Sequence, residues 1–243
     1  MSRARSDRRP GLLVVGCVAA LLYANFILDW ILRGFEGMDL VVSTLGAPGE
    51  PHAVALRVTD VVCGVLVLAL LPRVRSLLPP GPWREVAVWG TVVFAIGAAA
   101  AAAVPTPCGP GETCDAPRQL VQSLIHNGAS LVSEGALFVG MAAVWRATHA
   151  TGPVWLRRVA FWDFWIGGVV FTSLFAYFGY FSDAMWIASA AQRIHILFVS
   201  AWIVCLGVVA AHPHHLDPSS RPERPAGPDE QRPAASETRT DDR

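Results

Sequence analysis

The chain has 243 residues, with nineteen arginines, no lysine, nineteen acidic side chains and a formal net charge of zero. Hydrophobic residues make up 53% and charged residues only 16%, whereas about a quarter of an ordinary soluble domain is charged. The balance excludes a strongly basic nucleic-acid binder, and the shortage of charge argues against a soluble globular core.

Charges gather in the first ten residues, in short loops and in the last thirty. The apolar runs between them are of the length that a helix needs to cross about 30 Å of hydrocarbon at about 1.5 Å per residue. Six spans are predicted: Gly11–Leu32, Ala53–Leu71, Val86–Val104, Gln119–Trp145, Leu156–Tyr180 and Ala188–Ala211. The first follows the basic segment 1–10, is longer than a signal-peptide core and lacks a small-residue cleavage site, so it is expected to stay as an uncleaved span. The fourth is the most polar, carrying Gln122, His126, Asn127, Ser130 and Glu134. Trp30, Trp83, Trp155 and Trp186 fall near span ends, where indole rings prefer the interface.

Arginines set the orientation. Arg3, Arg5, Arg8 and Arg9 precede span one, Arg73, Arg75 and Arg84 lie between spans two and three, and Arg146, Arg157 and Arg158 flank the link between spans four and five. The other side holds only Arg33 and Arg118. Both termini are therefore expected in the cytoplasm. The tail 212–243, rich in Pro, Ser, Glu, Asp and Arg, lacks the apolar surface to offset its ordering entropy and is expected to be disordered. The expected class is an all-α, six-span bundle over residues 11–211. The all-arginine basic set, with abundant Ala, Pro and Gly, reads as a bacterial, high-G+C composition, so the expected location is a bacterial plasma membrane.

Between spans one and two, Met38, Leu40, Val41, Val42 and Leu45 form an apolar stretch, either a short helix in the outer interface or a loop packed on the bundle. The external loop PTPCGPGETCDAP places Cys108 and Cys114 six residues apart on the oxidising side, which suits a disulfide. Cys17, Cys63 and Cys205 lie inside spans and read as small core residues.

Ionisable groups in a bilayer need a partner or a wet cavity. Asp60, His126 and His195 each lie about seven residues, or about 10 Å, below the external boundary. Arg57 and Arg193 are slightly shallower, and Asp29 has a comparable place on span one. Gln119, Gln122, His126, Ser130 and Glu134 share one face of span four, and Asn25 and Asp29 are stacked on span one. Asp163, beside Trp162 and Trp165, is too close to the cytoplasmic side to join them. Three readings compete. Asp60 pairs with Arg193 or Arg57 while the histidines and amides join helices. Asp60, His126 and His195 hold a zinc-type metal with one position open for water, although no compact motif such as HExxH is present. Or the group lines a cavity for a lipid headgroup, a small molecule or an ion.

Two parts of the chain carry a resemblance. One is S-x-L-G-A-P-G (Ser43 to Gly49), followed by an Asp in the outer half of span two. The other is an external Cys loop followed by His126, Asn127, Gly128 and Ser130. Together they resemble the bacterial membrane family named domain of unknown function 998, over about residues 11–211. The family loop is Cys-Asp-Pro-Gly-Cys-like, whereas here Cys108 is followed by Gly109 and the spacing is longer. The resemblance implies a six-helix bundle and no established activity. The leading expectation is a non-enzymatic protein that binds a lipid, a small ligand or a protein partner in the membrane through the outer polar cluster, without a cofactor. The alternatives are a metal-dependent hydrolase acting on lipids and a proton-coupled transporter.

Overall fold

A computed structural model describes residues 9–212 except 111, 151 and 183. The basic start and the tail expected to be disordered fall almost wholly outside the described residues. Within them the chain is helical and has no strand. The elements are α1 (Pro10–Tyr23), α2 (Phe26–Leu32), α3 (Val42–Leu45), α4 (Ala53–Leu77), α5 (Pro82–Ala103), α6 (Pro117–Ala147) and α7 (Val154–Trp162). A π-helical segment, Asp163–Phe171, then continues into α8 (Thr172–Tyr180), and α9 (Met185–Ala211) ends the bundle.

Among the described residues, five helices are long and apolar enough to cross a membrane: α4, α5, α6, the continuous rod Val154–Tyr180 and α9. A sixth span is present if α1 and α2, bent by 53° at their junction, count as one. The chain therefore has the build of a multi-pass membrane protein. The bend corrects the expectation of one continuous first helix. At the break, Asn25 turns its side chain to α4 and donates to the Leu56 carbonyl (3.1 Å), Thr59 Oγ1 (2.9 Å) and Asp60 Oδ1 (2.8 Å). A short polar side chain that finds partners off its own helix makes a break affordable there.

Helices in lipid associate by close packing, which small residues allow. Gly16 of α1 and Gly207 of α9 meet backbone to backbone, so a Cβ built on Gly16 would lie 2.7 Å from the Gly207 Cα. Gly90 does the same against α6, where its Cβ would sit 2.5 Å from the Ala136 carbonyl oxygen. Around these crossings Val67, Leu70, Phe94, Leu137, Met141, Val199, Trp202 and Ile203 are buried as a common core. Large apolar side chains such as Leu21, Leu124 and Leu131 are left outward on the same helices, each more than 70% exposed, as lipid-facing positions require.

The segment between α2 and α4 folds back over one end of the bundle. Gly34 and Gly37 turn it with φ of 68° and 77°, values that cost glycine little. Only four residues, Val42–Leu45, are helical. Leu45 is buried with Ala24, Phe26, Leu56 and Ile196, so the segment is packed on the bundle and is no interfacial helix.

Candidate functional site

Beneath that covering segment lies a cavity of about 130 Å³. α4 contributes Arg57 and Asp60, and α6 contributes His126, Ser130, Ser133 and Glu134. Tyr23 and Asn25 reach it from the broken first span, Gln192 and Ile196 from α9, and Val42, Ser43 and Gly46 from the cover. Leu56, Pro105 and Ala98, Ala101 and Ala102 of α5 complete the wall, and the small alanines leave the space open.

The polar face of α6 explains why these groups converge. Gln122 donates to the Pro105 carbonyl at 2.8 Å. His126 Nδ1 lies 3.0 Å from the Ala101 oxygen and 2.9 Å from the Val104 oxygen. Those carbonyls end α5 and lack helical partners, and carbonyls only accept, so Nδ1 carries the proton and His126 caps α5. Its Nε2 is the ring's remaining polar atom. One turn further, Ser130 and then Glu134 line the cavity.

His195 sits behind Glu134, outside the cavity wall. Its Nδ1 is 3.1 Å from the Gly167 carbonyl and 3.2 Å from Thr172 Oγ1, and its Nε2 is 3.3 Å from Glu134 Oε1. The Gly167 carbonyl belongs to the π-helical segment, where widened hydrogen bonding leaves backbone groups free for other partners. His195 Nε2 thus faces Glu134 at ion-pair distance but makes no aligned hydrogen bond there.

Asp60 pairs with neither arginine. Its partner is Asn25. Arg193 instead donates to the Gly37, Met38 and Leu40 carbonyls and to Ser189 of its own helix, and it lies 5.8 Å from the Phe26 ring. It is a clamp on the cover. Gln192 beside it accepts from the Val42 N–H at 2.6 Å. Arg57 donates through Nε to the Ala53 carbonyl at 3.3 Å, and among the described residues no carboxylate lies at ion-pair distance from it.

Asp29 belongs to a separate group. It accepts from Arg33 at 2.8 Å and meets His52 Nδ1 at 2.7 Å, while Arg33 also reaches Glu50 at 2.8 Å. Burial pulls the Arg33 pKa down, but its hydrogen bonds to Glu50 and Asp29 and their charges outweigh that and raise it. This network ties both ends of the cover together. Asp163 stays apart, buried, with Oδ2 unbonded. Cys108 and Cys114 are joined as a disulfide, their Cα atoms 6.1 Å apart.

Of the predicted cluster, the cavity therefore unites Asp60, His126, Arg57, Ser130 and Glu134, with His195 one contact behind. Arg193 and Asp29 serve the cover. Among the described residues no three His, Cys, Asp or Glu side chains gather as a metal-holding group, so the Asp60, His126 and His195 trio is not assembled. Tyr23 and Gln192 were not anticipated. Both share the depth of Asn25 and His195 in their spans, and that depth was the available signal.

No curated protein and no solved structure shows significant similarity to the chain. Residues 14–209, which span the bundle just described, match the family described as protein of unknown function (DUF998). The chain belongs to that family.

Proposed function

We propose that the protein is a non-enzymatic membrane receptor that holds a small ammonium-bearing group in the cavity under the covering segment. The cavity opens toward the extracytoplasmic side of a bacterial plasma membrane, with both termini in the cytoplasm. The orientation rests on Arg73, Arg75, Arg84, Arg146, Arg157 and Arg158 at the opposite end of the bundle from the cavity. The observation that carries the binding role is that two carboxyl side chains from different helices, Asp60 and Glu134, line one cavity beside the Tyr23 ring. A carboxylate inside a membrane domain is costly without a counter-charge, and Asp60, bonded to the neutral Asn25, has no cation at ion-pair distance among the described residues. A ligand ammonium supplies that charge, and an aromatic face adds to its attraction. At about 30 Å³ per water in the liquid, a space of about 130 Å³ suits a group of a few heavy atoms.

The test is titration of the full chain in lipid nanodiscs with ethanolamine and choline, read by calorimetry. Saturable binding that weakens about tenfold, worth about 1.4 kcal/mol, in both Asp60→Asn and Glu134→Gln is expected. Binding that is unchanged in both variants sinks the reading.

The Glu134–His195 contact favours a second role, proton coupling of ligand movement. A carboxyl that lines the cavity and stands at ion-pair distance from a buried imidazole is the kind of pair found in membrane proton relays. In proteoliposomes this reading expects ligand uptake to acidify the lumen in the parent and not in Glu134→Gln.

A further inference from the structure

A second hollow adjoins the cavity. Arg57 and Ala102 line the cavity, and both also line this hollow on the outer surface between α4 and α5. That hollow is bounded by Val54, Val58, Val61, Val62 and Ala103. Its valines are 38–66% exposed, so the groove faces the position that lipid occupies around a spanning helix. Polar chamber and apolar groove thus meet at one arginine. The meeting follows from the helix repeat: Arg57 is three residues from Val54 and from Asp60, so one side chain stands between the groove row and the acidic row of α4. Residues 101–103 of α5 are alanines, so little side-chain bulk besides Arg57 stands between the two hollows.

We infer that the occupant is a phospholipid with an ammonium headgroup, entering sideways from the bilayer. The ammonium sits against Asp60 and Glu134, the phosphate meets Arg57, and an acyl chain lies along Val54, Val58, Val61 and Val62. This inference rests on the ammonium-binding role proposed above. Charge complementarity selects it over other occupants. Arg57 has no carboxylate at ion-pair distance among the described residues, and a guanidinium favours phosphate. A second copy of the chain would cover the valine groove but would leave Arg57 and Asp60 without counter-charges.

The experiment is native mass spectrometry of the full chain released from detergent. It is titrated separately with a short-chain phosphatidylethanolamine, with glycerophosphoethanolamine (the same headgroup without acyl chains) and with ethanolamine. Each is measured on the parent and on Val58→Phe, a surface change that fills the groove without touching the cavity wall. The expected result is a one-to-one phospholipid adduct at least about tenfold tighter than the acyl-free headgroup, because the acyl chain buries apolar surface in the groove. Val58→Phe is expected to lose that advantage and to keep ethanolamine binding. Equal affinity of the phospholipid and the acyl-free headgroup, with no effect of Val58→Phe, overturns the lateral lipid site and leaves the ammonium cavity standing. Binding of ethanolamine alone does the same. A dimer that Val58→Phe dissociates assigns the groove to a second copy and overturns the inference. If none of the three probes binds, the cavity reading falls as well.

Discussion

Asn25 Nδ2 lies 2.8 Å from Asp60 Oδ1, and this one hydrogen bond joins the break in the first span to the acidic wall of the cavity. The amide satisfies a carboxyl that neither Arg57 nor Arg193 pairs with, and by leaving the axis of its own span it turns the 53° bend into part of the site. Asn25→Ala removes a donor that serves three acceptors. A loss of about 1 kcal/mol of stability is expected, the scale of hydrogen bonds between membrane helices. Thermal unfolding in detergent measures it. Asn25→Asp, which sets a second carboxyl beside Asp60, is expected to cost more than Asn25→Ala, and the reverse order would contradict the pairing.

The contact between Gly16 and Gly207 leaves no room for a side chain. Gly207→Leu is therefore expected to separate α1 from α9, at a cost above the about 1–3 kcal/mol of ordinary overpacking. Gly128 is the control, because a Cβ there meets nothing within 4 Å. Gly128→Ala is expected to keep the melting temperature or raise it, since alanine gains up to about 1 kcal/mol of helix propensity over glycine. Fluorescence-detected size-exclusion after heating distinguishes the two, and equal survival would remove the tight-crossing argument.

Arg193 fastens the cover by its bonds to the Gly37, Met38 and Leu40 carbonyls. With Arg193→Gln, hydrogen exchange of the amides across residues 37–47 is expected to quicken by at least about tenfold, about 1.4 kcal/mol of local opening. The α5–α6 pair serves as the internal reference. Uniform protection of the cover in that variant would assign its docking to the buried Leu45 and Phe26 instead.

The Cys108–Cys114 bridge closes a short loop whose root is held by Thr106 Oγ1 donating to the Ser43 carbonyl at 2.8 Å. Loop-closure entropy for so few residues corresponds to about 2 kcal/mol. Reduction, or Cys114→Ser, is expected to lower the melting temperature by a few degrees without unfolding the bundle. Complete unfolding on reduction would mean that the bridge holds more than its own loop.

Much of the architecture was readable from hydrophobic length. Runs such as Ala53–Leu77 and Met185–Ala211 are helical because lipid offers backbone groups no hydrogen bonds, so each run must satisfy its own. The same constraint made Asp60, His126 and Glu134 conspicuous, and the three- and four-residue steps on α6 already put His126, Ser130 and Glu134 on one face. The close spacing of Cys108 and Cys114 pointed to their bridge. What periodicity could not decide was partner choice. Asp60 has Arg57 one turn away and Arg193 at a similar depth in another span, and is bonded instead to Asn25, thirty-five residues away. Arg193 and Asp29 share the depth of the cavity yet serve the cover, because depth says nothing about the direction a helix faces once it has packed. Only the tertiary crossings, set by glycine pairs such as Gly16 and Gly207, rotate each span. That rotation decides which polar groups meet across the bundle, and so makes a cavity from residues that the chain had only placed at one level.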